Sequence, residues 1–541
     1  MNFIDAATTN DRLTENGAAV HSTTGNKTLD YFAVCGTYSK RDPNLVAADI
    51  GKMLEENPLI ALKVLFYLRL VTRNSRLNAS EKLHLQKGLG CKDEFIKGWA
   101  YLCVHYKEFA KKNAWLVPTV GSWKDLWYDS NITNFFHYTD YSIAFPLIKS
   151  GLQDEFQRAL IAKYLPRYIT KKNRTTPRHE RMSQFAIAFS RYMNWNLEEY
   201  RRFKSNPELK AHIWQRQITN QEYNKIDFNT ISGRALGKIV QSKFLKNHNL
   251  TDSYANWING KPAAPFTGYV HELIAKMKTY SSTNEDSIKV ITLNKQYAGI
   301  IEKYSKDPNR KKENILVASD GSGSMSFESA KIANGVYAID VALALTILIS
   351  DLNDAPFRNK FIHFNNVSSL ESIDGNTLFE KYYNLQHKIG FGSTNFQSII
   401  DLLIRVKKQN PALTIRDFPT TIVVVSDMQF NPVNYAKDTT TNHETAIQRL
   451  SEYGLEDIRF IWWNVVARTK TVEVKEFTKN TALMSGFDPA ALSNILGFET
   501  KTEEVIDNDG KVSYKSTRIT KTPLESMLEV LNQDILNKVT I

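Results

Sequence analysis

Cysteine is scarce in this sequence: Cys35, Cys91 and Cys103 are the only three in 541 residues. They are too few and too scattered for a disulfide framework, and none sits in a CxxC pair. A reducing, cytoplasmic setting is therefore expected. Long apolar runs are missing too. Leu59–Val71 is broken by Lys63 and Arg69, and Val341–Ser350 follows Asp340, so both are too short or too charged to span a bilayer. The first residues, MNFIDAATTNDRLTENG, carry an early acid and no apolar core, so no secretory signal is read there. A soluble chain with no membrane partner is the expectation.

Several catalytic signatures are also lacking. There is no GxxxxGK[ST], and Ser326 stands where the third glycine of a dinucleotide fingerprint beginning at Gly321 would be. A phosphatase with an Asp nucleophile needs a second Asp at 322, where the sequence has Ser322. No Ser-His-Asp set can be assigned from spacing, and His248 and His271 read as surface or core residues. With no general base beside any candidate site, an enzyme is not expected.

What the chain does have is a globular balance, 42% hydrophobic and 23% charged, with length for roughly two to four domains. Its net charge of +12 is unevenly spread. Residues 1–313 hold about 47 Lys and Arg against about 30 Asp and Glu, so the rest of the chain is mildly acidic. An anionic partner would meet the front half. Residues 151–250 are the most basic part, about 19 against 8. There Lys171, Lys172, Arg174, Arg178 and Arg181 follow Tyr164 and Tyr168, and Arg201, Arg202 and Lys204 flank Phe203. Basic side chains attract phosphates without reading sequence, and aromatics stack on unpaired bases. The plainer alternative is a solvated helix face over core aromatics.

Periodicity divides the chain. Residues 1–44 read as an irregular lead-in rich in Thr, Asn, Gly and Asp. From 45 to 310 the pattern is helical: Val46–Glu55, Leu59–Arg69, Glu94–Lys111, Tyr141–Ser150, Asp154–Tyr164, Arg181–Met193, Leu197–Phe203, Ile231–Phe244 and Phe266–Met277. Few stretches have a strand's period of two, so stacked antiparallel helical pairs are expected. No repeat of fixed period is found. From 311 to 541 short apolar strands alternate with helices. The strands are Ile315–Ser319, Lys360–Asn365, Thr420–Ser426 and Asp457–Val466; the helices are Phe327–Leu352, Phe396–Lys408, Thr445–Tyr453 and Leu524–Leu536. That alternation predicts a doubly wound parallel sheet covered on both faces.

The first of these strands runs into Asp320-Gly321-Ser322-Gly323-Ser324-Met325. In an open parallel sheet, ligands bind beyond the carboxyl ends of the strands. This loop offers one carboxylate and two hydroxyls at alternate positions, all hard oxygen donors. Thr394, in a Gly-rich loop before a helix, and Asp427, closing the third strand, can reach the same edge. Five oxygen ligands would suit Mg²⁺, or another divalent cation such as Mn²⁺ or Ca²⁺. The plainer alternative is a tight turn at 320–325, with Asp427 capping a helix.

Asp-x-Ser-x-Ser after the first strand, with Thr394 and Asp427, resembles the metal-ion-dependent adhesion site of von Willebrand A domains. The resemblance implies that Ser322, Ser324 and Thr394 bind the metal directly or nearly so, and that Asp320 and Asp427 act largely through water. It also implies an open position for an acidic group from a protein partner. Other stretches extend the likeness: Leu13-Thr14-Glu15-Asn16-Gly17, Asn57-Pro58-Leu59-Ile60, Val117-Pro118 with Gly121-Ser122-Trp123-Lys124-Asp125-Leu126, Tyr164-Leu165-Pro166-Arg167, Tyr223-Asn224-Lys225-Ile226-Asp227-Phe228 and Ser485-Gly486-Phe487. Together they resemble a poorly characterised group of fungal, plant and viral proteins that join a TROVE-like helical module to a von Willebrand A domain. The architecture is similar to that of the Ro ribonucleoprotein family, whose helical module closes into a ring that binds structured small RNAs outside and single-stranded RNA ends in its basic hole; the resemblance implies a HEAT-like array and RNA binding here.

The expectation is thus an α plus α/β protein in which a basic helical array, arc or ring, binds RNA and a von Willebrand A-like domain carries the metal. The alternative is a Mg²⁺-dependent protein-interaction scaffold that binds no RNA.

Overall fold

A computed structural model describes residues 12–37, 41–75, 84–127, 141–206, 209, 214–280, 287–306, 313–333, 335–389, 392–433, 440–466, 470–488, 490, 492, 499–506 and 512–541. The protein is mixed α/β, with helices dominating its N-terminal part and a six-stranded sheet in its C-terminal part. Two compact units interleave along the chain. One comprises residues 1–39, 72–89 and 255–537; the other comprises 40–71, 90–254 and 538–541. Among the described residues no helix is long and apolar enough to cross a membrane.

The first unit is built on strands β1 (Ile315–Asp320), β2 (Lys360–Phe364), β3 (Ser369–Ser372), β4 (Thr421–Ser426), β5 (Arg459–Asn464) and β6 (Thr481–Ser485), in the order β6-β5-β4-β1-β2-β3. Every residue of β1, β4, β5 and β6 is buried, which requires cover on both faces of the sheet. That is why β1, β4 and β5 read as apolar runs; β6 is a strand that the sequence reading does not name. Five strands are parallel, but β3 runs antiparallel to β2, so the expected wholly parallel sheet is corrected at this edge. Its residues are exposed or half-buried, as suits an edge strand, and they leave no apolar run to read in the sequence.

The long helix expected from Phe327 begins only at Ala338. The segment before it forms two 3₁₀ turns and a tight two-strand hairpin, Lys331–Ala333 with Val336–Tyr337, turning at Gly335 with φ +73°. Asp340 sets the true start, since its carboxylate accepts the Tyr337 backbone N–H at 2.9 Å. Helix Ala338–Leu352 shares one core with Val270–Lys278, Ile288–Ser305 and Leu378–Lys388, through Leu273, Ile300, Ile347, Leu348 and Tyr382. Sequence patterning had grouped Phe266–Met277 with the front helices; the tertiary packing joins this segment to the sheet.

The lead-in is not wholly irregular. Lys27–Cys35 is a helix capped by Asn26, and it lies on β6, where Ser485 donates to the Phe32 carbonyl at 2.9 Å and accepts from Gly36 N–H at 3.0 Å. A Cβ on Gly36 would stand 2.7 Å from the Ser485 backbone, so the contact needs glycine.

The second unit is helical. Pro43–Glu56 and Pro58–Arg69 are separated by Asn57, which ends one helix and caps the next, and Pro58 occupies the first turn. The expected helix Glu94–Lys111 is instead two, Lys92–His105 and Lys107–Asn113, broken at Tyr106. The front half of the chain is not all-helical, because a two-stranded ribbon, Val71–Ser75 with His84–Leu89, interrupts it, and residues 72–89 belong to the first unit. The Gly121–Leu126 stretch is a 3₁₀ turn around Asp125. Its buried carboxylate accepts from Arg69 Nε at 2.7 Å and from Ser122 N–H at 3.0 Å. A Cβ on Gly121 would meet that carboxylate at 2.3 Å, so this motif is structural.

Candidate metal centre and basic surface

Asp320 ends β1 and Ser426 ends β4, the neighbouring parallel strand, so parallel pairing delivers two loops to one edge of the sheet. Asp320 Oδ1 accepts the Ser322 N–H at 2.8 Å, folding the glycine-rich loop back over its own carboxylate. The Ser322 and Ser324 hydroxyls lie 2.9 Å apart. Asp320 Oδ2 accepts from the Ser426 hydroxyl at 2.5 Å, and Asp427 follows directly. Thr394 arrives by another route: its carbonyl accepts Asn431 N–H at 2.9 Å, four residues beyond Asp427.

The loop before Thr394 is held by Asn365, just past β2. Asn365 Oδ1 accepts Ser393 N–H at 2.9 Å, and its carbonyl accepts the Ser398 hydroxyl at 2.9 Å. A Cβ on Gly392 would overlap the Asn365 side chain at 2.0 Å, which explains the glycine here. Gly390 and Phe391, also part of that expected loop, lie outside the described residues.

All five expected residues therefore sit on loops at the carboxyl edge of the sheet. Asp320 and Asp427 are each 1% exposed, Thr394 2% and Ser322 6%. Burial, and then the charge of Asp427, push the Asp320 carboxyl up to about 6, against the lowering pull of hydrogen bonds from Ser426 and Ser322. Two carboxylates buried this closely disfavour each other's charge, and a divalent cation would relieve that. Their described hydrogen-bond partners include the Ser426 hydroxyl, the Ser322 N–H and the Gln429 N–H. Among the described residues no three His, Cys, Asp or Glu side chains group so as to hold a metal. Any cation here would be a hard one, bound by carboxylates and hydroxyls together, and the donor set fits Mg²⁺, Mn²⁺ or Ca²⁺.

Several participants carry no sequence signal. Ser426 reads as the last residue of an apolar strand. Met428 adopts φ +61°, uncommon for a residue with a side chain, in the loop that carries Asp427. Gln429, 1% exposed, donates its backbone N–H to Asp427 Oδ1 at 3.3 Å.

In the helical unit, Lys171, Lys172, Arg178, Arg201 and Arg202 are exposed, and Arg174, Arg181 and Lys204 are half-buried. The Arg201 guanidinium lies 4.7 Å and that of Arg174 5.6 Å from the Tyr168 ring centre. Some of this charge is engaged within the protein. Arg174 pairs with Glu180 at 3.1 Å, Arg202 with Glu198 at 3.1 Å, and Lys204 reaches the Ala162 carbonyl at 3.4 Å. Tyr200 is fully buried and its hydroxyl donates to Pro166 O at 2.6 Å, which accounts for the Tyr164–Arg167 stretch as packing. Lys171, Lys172, Arg178 and Arg201 are the charges best presented to an outside partner.

Residues 314–531 match a domain of unknown function, DUF7788. The chain is also similar to an uncharacterized protein of Acanthamoeba polyphaga mimivirus. The two are 24% identical over 527 residues, covering 90% of this chain and 85% of the viral protein.

Proposed function

We propose that the sheet unit is a von Willebrand A-like module that captures an acidic group of a protein partner through a divalent cation. Asp320, Ser322, Ser324, Thr394 and Asp427 would hold the ion. The observation that carries this reading is the meeting of two buried carboxylates with serine hydroxyls at the carboxyl edge of the sheet. The bound ion would supply an electrophilic centre for a partner's carboxylate; the residues of this chain hold the loop shapes and exclude water from the acids. Thermal melting in EDTA, Mg²⁺ and Mn²⁺ tests the cation step. Saturating metal should raise the melting temperature, by about 2.7 kcal/mol of stabilisation at a hundredfold excess over Kd, and Asp427→Ala should abolish the increment. No metal-dependent shift in the unaltered protein overturns the reading.

A second reading, favoured by the exposed cations around Tyr168, gives the helical unit a role in RNA binding. As a TROVE-like, HEAT-like array it would hold RNA by phosphate contacts from Lys171, Lys172, Arg178 and Arg201, with the metal-bearing module serving a protein partner. Filter binding with single-stranded and hairpin RNA over a salt series tests it. Binding that weakens steeply with salt supports it, and no binding at low salt ends it.

A further inference from the structure

The stretch Leu13–Gly17 has no role in the sequence reading beyond a family likeness, yet the fold carries it across more than 400 residues to the loop after β4. There the Thr14 hydroxyl donates to the Phe430 carbonyl at 2.7 Å. Gln429 is gripped twice: its side-chain Oε1 accepts Glu15 N–H at 2.7 Å, and its carbonyl accepts the Asn16 amide at 2.6 Å. The turn that presents these groups is itself closed. Thr14 N–H donates to Ala18 O at 2.8 Å, Ala18 N–H returns to the Thr14 hydroxyl at 2.9 Å, and Gly17 supplies φ +92°. Further along, His21 and Val472 exchange backbone hydrogen bonds at 2.9 and 3.0 Å, anchoring the far end.

The loop so held includes Met428 in a left-handed conformation, directly after Asp427. Backbone in that region persists only where its surroundings over-determine it. Inside the loop Met428 N–H donates to the Ser426 hydroxyl at 3.0 Å, Gln429 N–H to Asp427 Oδ1 at 3.3 Å and the Gln429 side-chain amide to the Asp427 carbonyl at 3.4 Å. Residues 14–16 add three shorter bonds from outside, at 2.6–2.7 Å.

We propose that the N-terminal turn Thr14–Asn16 is a positioning element of the cation site, clamping Gln429 and Phe430 so that Asp427 is held in its binding pose. The proposal rests on the metal-capture reading above. Groups that orient metal ligands without touching the ion typically govern affinity ten- to a hundredfold. Coupling is reciprocal, so a bound cation must steady the N-terminal turn in return.

Mn²⁺ titration of the full-length protein, read by the electron paramagnetic resonance of free Mn²⁺, tests this. Thr14→Val and Asn16→Asp keep side-chain volume while removing a donor, and each should weaken Mn²⁺ binding by about tenfold or more. Thr14→Ser keeps the hydroxyl and should bind as the unaltered protein does. In parallel, amide hydrogen exchange of residues 14–21 should slow when Mn²⁺ is added to the unaltered protein, a readout that needs no variant to fold. If both donor-less variants bind Mn²⁺ normally, or exchange at 14–21 ignores the metal while it binds, the clamp is overturned and the capture reading stands. If the unaltered protein takes up no Mn²⁺, the capture reading falls and the clamp with it.

Discussion

Ser426 and Asp320 lie on neighbouring parallel strands, 106 residues apart in sequence, and the serine hydroxyl donates to the buried aspartate at 2.5 Å. This bond ties the ends of β1 and β4, and so the loops that follow them, together. Ser426→Ala removes a hydrogen bond to a charged, buried acceptor, a loss of about 1.5–3 kcal/mol. Urea unfolding in EDTA should show the midpoint falling by that equivalent with an unchanged slope. A midpoint equal to that of the unaltered protein would mean that the serine is a bystander.

Gly392 is required by closeness rather than by an unusual φ. Gly392→Ala would drive a methyl group into the Asn365 side chain and displace the oxygen that holds Ser393 N–H. Overpacking of this kind costs about 1–3 kcal/mol. Because Thr394 moves with the loop, Mn²⁺ affinity should fall together with melting temperature. Unchanged affinity in a folded variant would separate Thr394 from the site.

Away from the site, Glu473 is buried, and among the described residues neither of its carboxylate oxygens has a hydrogen-bond partner. Burial, and then the charge of Glu444, push it up to about 8. The native state therefore holds a proton that the unfolded chain releases near pH 4, so Glu473 draws stability down as pH rises from about 4 to about 8. His443, whose value burial and then His21 depress to about 4, acts the opposite way: its stability deficit appears as pH falls from about 6.5. His21 also lies 4.0 Å from Glu444. Glu473→Gln should flatten the decline between about pH 4 and pH 8, a gain on the order of a few kcal/mol at pH 9, and leave the His443 loss below about pH 6.5 in place. Chemical denaturation at intervals from pH 4 to 9 reads this, and an unaltered decline from about pH 4 to pH 8 would refute it.

On the proposal that the helical unit binds RNA, charge-to-alanine changes at Lys171, Lys172 or Arg178 should weaken that binding similarly across sequences. Each should also reduce the slope of log affinity against log salt by about 1. Arg202→Ala should do less, because Arg202 already pairs with Glu198 on its own helix. Equal effects from Arg202 and Lys171 would point to diffuse charge rather than a directed surface.

Much of this molecule was legible in its residues because the legible parts are local. Thr421–Ser426 is β-branched and apolar throughout, so it reads as a buried strand, and it is one. Asp320 and Asp427 fall at strand ends, where loop chemistry concentrates, and parallel pairing of β1 with β4 brings them to one edge. Helix starts were less readable. The Phe327–Tyr337 stretch looks helical by composition, but Gly335 and the Asp340 cap delay the helix to Ala338.

By itself, then, the sequence determined that β1, β2, β4 and β5 are strands, where the acidic and hydroxyl donors stand, and that the basic charge gathers in residues 151–250. Those properties follow from side-chain type and short-range spacing. Tertiary structure alone decided that β3 runs antiparallel, that helices Val270–Lys278 and Ile288–Ser305 share a core with Ala338–Leu352, and that Thr14 to Asn16 close on Gln429 and Phe430. The physical reason is separation along the chain. Thr14 and Phe430 are 416 residues apart, and no periodicity records a hydrogen bond whose partner is chosen only when the whole unit has packed.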